Sequence, residues 1–222
     1  MKNFKLIIII LCLAFVLVAG YCRAKDVKKE ELVTRYGNME AGIKLMELKR
    51  YSEALDCFKK VQLENPKDTR ALLYEAMALY WLEEFSKSNV IVSEVLKKEP
   101  YNYMAWLYKG KSVNGMKNPR EALGCFERAI EIKPDFMEAW YHKAMALYGQ
   151  EQYRASLASL NRVLAKEPGN AKALVIKGMC HYWLGDISQA RLYIQKGLAL
   201  DGSLRKNIPE HVLMDLNDES LK

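Results

Sequence analysis

The chain has 222 residues, half of them apolar, and it carries 34 Lys and Arg against 27 Asp and Glu, a formal net charge of +7 at pH 7. This positive excess is modest for the length, and the basic residues are interleaved with acidic ones and form no known nucleic-acid recognition motif. The composition therefore argues against nucleic acid as a partner.

The amino-terminal segment, residues 1–22, has the composition of a segment that enters a membrane. Two lysines, Lys2 and Lys5, precede an uncharged run of 15 residues from Leu6 to Gly20. A run of this length suits the core of a secretory signal, whereas a spanning helix needs about 20 residues. Residues 1–22 are therefore predicted to be a signal peptide or a membrane anchor, with export favoured.

Two features beyond this run bear on localisation. Cys22 resembles the acylated cysteine of bacterial lipoproteins, although Tyr21 occupies a position where that motif has a small residue. Several basic residues then follow, which the positive-inside tendency would keep in the cytoplasm. The prediction is an exported protein of the cell envelope or periplasm, with Cys22 as a candidate for lipidation. The alternative is a protein on the cytoplasmic face of the membrane with an uncleaved amino-terminal anchor.

Residues 23–34 connect this segment to the body of the chain. They are charged and permissive for helix formation. We predict that they form a spacer that extends the following helix backwards.

A period of 34 residues governs the middle of the chain. Four prolines recur at this spacing, and each is expected to end one unit and begin the next: Pro66, Pro100, Pro134 and Pro168. When the units are aligned, two sets of equivalent positions, or columns, hold small side chains. A third column, which begins at Phe58, holds bulky apolar side chains. Because small residues let two helices cross closely, each unit is predicted to be two helices joined by a turn. The five units are 35–68, 69–102, 103–136, 137–170 and 171–204.

This pattern resembles the tetratricopeptide-repeat family, whose 34-residue units carry an early aromatic residue, a pair of small residues and a closing proline. Trp106 and Trp140 fill the aromatic column, whereas Asn38 in the first unit and Gly202 at the end of the fifth depart from the pattern. The resemblance implies an all-α, right-handed superhelical solenoid of five helix-turn-helix repeats. Since the last repeat of a stack needs a cover, the amphipathic residues 205–222 are predicted to form a C-terminal capping helix and tail.

The sequence offers little catalytic chemistry. No acids, thiols or hydroxyls accompany the histidines at metal-ligand or triad spacing, and there is no glycine-rich phosphate loop. The cysteines of the repeats are expected to be buried small side chains without an internal disulfide: Cys57, Cys125 and Cys180. We predict a protein with no enzymatic activity, cofactor, metal or small-molecule substrate.

The resemblance implies that the concave surface, formed by the first helices of the repeats, holds a peptide or helix of a partner protein. Methionine and aromatic side chains dominate the corresponding positions and would suit an apolar or amphipathic segment. We expect Tyr80, Trp81, Tyr148, Tyr182 and Trp183 to be exposed there; the alternative is that many of the groove positions only pack neighbouring first helices together. The predicted groove residues are Met39, Met46, Met77, Tyr80, Trp81, Lys111, Asn114, Tyr141, Met145, Tyr148, Met179, Tyr182 and Trp183.

One lysine per unit recurs in the last three repeats, at Lys109, Lys143 and Lys177. Such a row is either a solvated edge or a stripe that meets an acidic partner or anionic lipid headgroups.

The predicted function is a protein–protein interaction scaffold in the cell envelope, which binds a hydrophobic or amphipathic partner segment in its concave groove. One alternative is a structural subunit of a membrane-associated envelope complex that docks through its convex face. The other is a membrane-anchored cytoplasmic adaptor.

Overall fold

The computed structural model describes residues 27–217, which form eleven α-helices, one 3-10 helix and no strand. The all-α class predicted from the sequence is confirmed.

The chain divides into two compact units between Glu84 and Phe85, which is between the two helices of the second repeat. The first unit contains α1 (Lys29–Glu47), α2 (Tyr51–Glu64) and α3 (Thr69–Trp81). The second contains α4 (Phe85–Lys98), α5 (Tyr103–Gly115), α6 (Pro119–Ile132), α7 (Met137–Gly149), α8 (Tyr153–Lys166), α9 (Ala171–Trp183), α10 (Ile187–Leu200), the 3-10 helix (Gly202–Asn207) and α11 (Glu210–Asn217).

The first helix of the first repeat, α1, begins at Lys29, within the predicted spacer. The helix is broken at Gly37, whose φ of 77° and ψ of 167° are not helical. The residues before the break pack against α2, where Lys29 Nζ lies 2.8 Å from Asp56 Oδ2 and Arg50 donates to the carbonyl oxygen of Val27. Leu32, on the same part of α1, is buried. From Lys29 onward the described part of residues 23–34 therefore extends α1 backwards, and it also packs against the start of α2.

Close packing of the two helices within a repeat depends on the small columns. A methyl group added at Gly42, Gly110 or Gly178 would come within 2.5–2.6 Å of a side chain on the partner helix. The second small column is fully buried at Ala54, Ser88, Ala122, Ser156 and Ala190. These contacts confirm the predicted close crossing.

Each first helix ends in the same turn. The residue at this point has a left-handed φ of 59–62° at Lys49, Glu83, Lys117 and Glu151, and of 82° at Gly185. In the third repeat the backbone N–H of Lys117 donates to Asn114 and that of Asn118 donates to Val113, which is the Schellman arrangement. The 34-residue period is therefore also a period in backbone conformation.

The helix starts explain several polar residues of the repeat. Asp68, Asn102 and Asn170 each accept a hydrogen bond of 3.0 Å from the backbone N–H three residues later, which caps α3, α5 and α9. Asn118 caps α6 in the same way, with Pro119 in the first turn as the sequence predicts.

The C-terminal segment covers the last repeat. Leu204, Ile208, Val212 and Leu216 are buried against α9 and α10, in a cluster that includes Val175, Met179, Ala190 and Ile194. Ile208 follows Leu174 by 34 residues, and both side chains are buried. Among residues 27–217, no helix has both the length and the apolar character needed to cross a bilayer.

Candidate functional site

A cleft of about 560 Å³ opens on the first-helix side of the second unit, between α7, α9 and the segment that leads into α11. Apolar side chains form most of its surface, and the aromatic rings of α7 form one wall. The lining residues are Tyr141, Met145, Tyr148, Lys172, Val175, Ile176, Met179, Leu204, Asn207 and Pro209.

Four of the predicted groove residues meet in this cleft: Tyr141, Met145, Tyr148 and Met179. Met145 is 40% exposed, whereas Met179 is buried beneath the C-terminal segment. Burial raises the pKa of Tyr141, so its hydroxyl stays neutral and able to donate at neutral pH.

One end of the cleft is held by aromatic contacts. The indole Nε1 of Trp183 donates to the hydroxyl of Tyr148 at 2.8 Å. Tyr153 stacks on Trp183 with ring centroids 6.3 Å apart, and Tyr182 meets Trp183 edge-on at 5.2 Å. Of the residues expected to be exposed, Trp183 is 44% exposed, whereas Tyr148 and Tyr182 are half-buried.

The C-terminal helix contacts the same aromatic group. The hydroxyl of Tyr182 donates to the carboxylate of Asp215 on α11. The ring of His211, one turn earlier on α11, lies 6.1 Å from that of Trp183. Part of the predicted groove in the fifth repeat is therefore occupied by the chain's own C-terminal helix.

The predicted groove residues of the first unit form a matching aromatic group. Trp81 stacks on Tyr51 with ring centroids 5.6 Å apart and meets Tyr80 edge-on at 5.3 Å. Trp183 makes the same two contacts with Tyr153 and Tyr182, each 102 residues further along the chain. Trp81 is 46% exposed and Tyr80 is half-buried. The methionines of this unit, Met39, Met46 and Met77, are half-buried. The cleft itself lies wholly in the second unit.

Lys111 does not line an open surface, contrary to its predicted place in the groove. Its ammonium group is buried, lies 3.1 Å from Glu138 Oε1 on α7 and sits 4.4 Å above the ring of Tyr108. Burial lowers the pKa of Lys111, against the opposing effect of Glu138. Asn114, one turn further along α5, is exposed.

The three lysines of the predicted stripe are packed on aromatic rings. Lys109 and Lys143 lie 5.6 Å from the ring centroids of Trp106 and Trp140, and Lys177 lies 4.2 Å from that of Tyr193. Lys143 Nζ also pairs with Glu127 Oε1 at 2.9 Å, and Lys177 Nζ donates to Asn161 Oδ1 at 2.7 Å. Their ammonium groups thus already interact with the chain, and their role toward an acidic partner stays a prediction.

The cysteines of the repeats lie inside the protein. Cys57, Cys125 and Cys180 are buried free thiols, and burial raises the pKa of Cys125 to about 11, which keeps its thiol protonated at neutral pH. Within residues 27–217 no three His, Cys, Asp or Glu side chains are grouped as metal ligands. Cys22, the candidate for lipidation, lies outside the described residues.

Sequence reasoning missed the part of the cleft that the C-terminal segment supplies, through Leu204, Asn207 and Pro209. It also missed Lys172 at the start of α9. Ile208 lies 34 residues after Leu174 of α9, and this recurrence of the repeat period could have placed the segment beside α9.

Residues 141–204 match the family model of the tetratricopeptide repeat. No curated protein matches the chain. Among solved structures, TTC0263, a thermophilic tetratricopeptide-repeat protein of Thermus thermophilus, is 19% identical, with a TM-score of 0.66 over 80% of this chain and 97% of that one. MamA from Desulfovibrio magneticus RS-1 is 21% identical, with a TM-score of 0.65 over 76% and 95%.

A third similar structure is YrrB, a tetratricopeptide-repeat protein with an unusual peptide-binding site. It is 15% identical, with a TM-score of 0.59 over 79% of this chain and 93% of its own. The helix pairs, the 34-residue frame and these similarities define a tetratricopeptide-repeat fold. Within this fold, residues 141–204 are the part whose sequence matches the tetratricopeptide repeat.

Proposed function

We propose that this protein is a non-enzymatic scaffold that binds an apolar or amphipathic segment of a partner protein in the cleft between α7 and α9. The observation that carries the proposal is an open cleft of about 560 Å³ whose surface is mainly apolar. Its volume lies in the range of about 300–1,000 Å³ that is typical of ligand sites. A cleft of this size accepts a few side chains of a peptide.

The chemistry of the lining suits a peptide. Met145 is unbranched and polarisable, so it adapts to side chains of different shape. Tyr141 and Tyr148 offer broad apolar rings that end in a polar hydroxyl. The similarity to YrrB, whose binding site takes a peptide, supports the same class of ligand here.

We further propose that the protein acts in the cell envelope after export, with residues 1–22 as its signal or membrane tether. The support is the uncharged run from Leu6 to Gly20, which lies outside the described residues. The competing location is the cytoplasmic face of the membrane, with this segment uncleaved. Labelling of intact cells with a membrane-impermeant reagent separates the two, because only an exported domain reacts before lysis.

A second candidate function is a structural subunit that docks through its other face. The contact of α11 with Tyr182 and Trp183 favours it, because this contact takes up part of the first-helix surface. Leu192 and Leu200 on α10, 41% and 58% exposed, would then belong to the docking surface.

Affinity capture from native membranes with two matched variants distinguishes these functions. Met145→Glu places a charge in the cleft, and Leu192→Glu places one on α10 at nearly equal exposure, 40% and 41%. Scaffold function predicts that the partner is lost with Met145→Glu alone. Loss with Leu192→Glu alone would instead support the structural subunit.

A further inference from the structure

We propose that the cleft selects a partner segment in which an acidic side chain stands next to a bulky apolar one, with Lys172 pairing with the carboxylate. This inference rests on the proposed function and specifies the chemistry of its ligand. It depends on the polar groups that line the otherwise apolar cleft.

Lys172 carries the one formal charge among the described side chains that line the cleft. Within residues 27–217 its ammonium group forms no ion pair, and the residue is exposed. An ammonium group at the rim of a low-polarity cleft attracts an anionic group more strongly than it would in open water. The cleft is therefore electrostatically complementary to a carboxylate.

Asp201, an acidic group of the described chain that senses the charge of Lys172, is already engaged. Asp201 accepts hydrogen bonds from the backbone N–H of Ser203 at 3.0 Å and from its hydroxyl at 2.7 Å, where it caps the 3-10 helix. These bonds, and then the charges of Lys172 and Lys206, lower the pKa of Asp201. Asp201 feels the field of Lys172 without forming an ion pair with it.

Two neutral donors line the same cleft. The Tyr141 hydroxyl has no hydrogen-bond partner among the described residues, and Asn207, which also lines the cleft, is an exposed residue with a side-chain amide. Together with Lys172 they offer donors to a ligand that brings acceptor oxygens. Met145 and Val175, in the same cleft, supply the apolar contact for its neighbouring side chain.

A matched pair of small probes tests this preference on the full-length protein in lipid nanodiscs. The probes are 4-phenylbutyrate and its neutral amide, which differ at the carboxylate alone. Methyl signals of labelled methionines report on binding, because Met145 and Met179 line the cleft whereas Met116 and Met214 are exposed elsewhere.

We expect 4-phenylbutyrate to shift the Met145 and Met179 signals and to bind at least about five-fold more tightly than the amide. Lys172→Gln should abolish this difference, whereas Lys166→Gln, at an exposed lysine of α8, should preserve it. Equal affinity of the two probes, a preference that survives in Lys172→Gln, or no shift at Met145 would each overturn the inference.

Two further outcomes would assign the cleft to another occupant and overturn the proposal. Deletion of residues 218–222 that shifts the Met145 signal without a probe would show that the chain's own acidic tail fills the cleft. A Met145 signal that depends on protein concentration would show that a second copy does. Equal binding of both probes leaves the proposed function standing, since that function fails only if Met145→Glu retains the partner.

Discussion

The indole Nε1 of Trp183 donates a hydrogen bond of 2.8 Å to the hydroxyl of Tyr148 and so joins the end of α9 to the end of α7. Tyr148 also lines the cleft, so this bond holds α7 and α9 together at one end of the site. Burial raises the pKa of Tyr148, against the opposing effect of the Trp183 hydrogen bond.

Replacing Trp183 by Phe removes the donor and keeps an aromatic ring. We expect Trp183→Phe and Tyr148→Phe each to lower the free energy of unfolding by about 0.5–1.5 kcal/mol. The double variant should lose less free energy of unfolding than the sum of the two single losses, because either change alone already removes the bond. Urea denaturation measures all three, and strictly additive costs would show that the bond contributes nothing.

The close helix crossing at Gly178 predicts the effect of adding a methyl group there. A Cβ added at Gly178 would lie 2.6 Å from Ile194 Cγ1 and 2.9 Å from the backbone oxygen of Ala190, and the backbone cannot give way as a side chain can. Gly178→Ala should therefore destabilise the protein by about 1–3 kcal/mol.

Gly124 is the control for this variant, because it lies within α6 and a Cβ there would meet nothing within 4 Å. Gly124→Ala should stabilise the protein by about 0.5–1 kcal/mol, as expected for Ala in place of Gly inside a helix. Thermal or urea unfolding of both variants tests the pair, and equal effects of the two changes would refute the packing argument.

Loss of the buried Lys111 and loss of its exposed partner Glu138 should have different effects on stability. The positions equivalent to Lys111 hold Met77, Met145 and Met179, so Lys111→Met supplies an apolar side chain that the repeat frame accommodates. This change should be neutral or stabilising, because it removes an ammonium group whose burial is unfavourable. Glu138→Gln leaves that ammonium group buried without its carboxylate and should cost about 1–3 kcal/mol. A larger loss for Lys111→Met than for Glu138→Gln would contradict this account.

His142 makes stability depend on pH. It stacks on Phe126 with ring centroids 5.7 Å apart, and burial, followed by the charges of Lys111 and Lys172, lowers its pKa to about 3. The Glu138 carboxylate is 3.8 Å from His142 but also pairs with Lys111, so it does not hold the imidazole in its charged form.

The depressed pKa sets the direction of this effect. Below its ordinary pKa of about 6.5, the unfolded chain binds a proton that the folded protein does not, so stability falls as pH decreases. The loss from His142 should reach about 1–2 kcal/mol at pH 5 relative to pH 7. His142→Tyr, which introduces the residue found at Tyr74 and Tyr108, removes this contribution. Urea denaturation at pH 7 and pH 5 should show a smaller decrease in stability for the variant; parallel decreases would contradict a neutral, half-buried His142.

The local features of the fold could be predicted from the sequence because they depend on residues close in the chain or repeated in register. The small columns, the cap formed by Asn118 with Pro119, and the amphipathic C-terminal helix are of this kind. The left-handed turns were not predicted, because four of the five positions hold Lys or Glu where Gly is favoured.

The remaining differences come from contacts between residues far apart in the chain. The break at Gly37 is accompanied by the bond from Arg50 to Val27, and the burial of Lys111 depends on Glu138, 27 residues later. The cleft likewise needs Leu204 and Pro209 beside α9. Periodicity identifies which side of a helix such residues occupy but does not specify which distant segment packs there.

The most direct test of the central claim is the affinity of a peptide for the cleft. A fluorescent peptide, selected by display on the intact protein, is titrated by anisotropy against the intact protein, Met145→Glu and Leu192→Glu, after unfolding has shown all three to be equally stable. If the cleft binds the partner segment, Met145→Glu should weaken binding by at least about ten-fold, or about 1.4 kcal/mol, while Leu192→Glu stays within about two-fold of the intact protein. Unchanged affinity in folded Met145→Glu would contradict the claim.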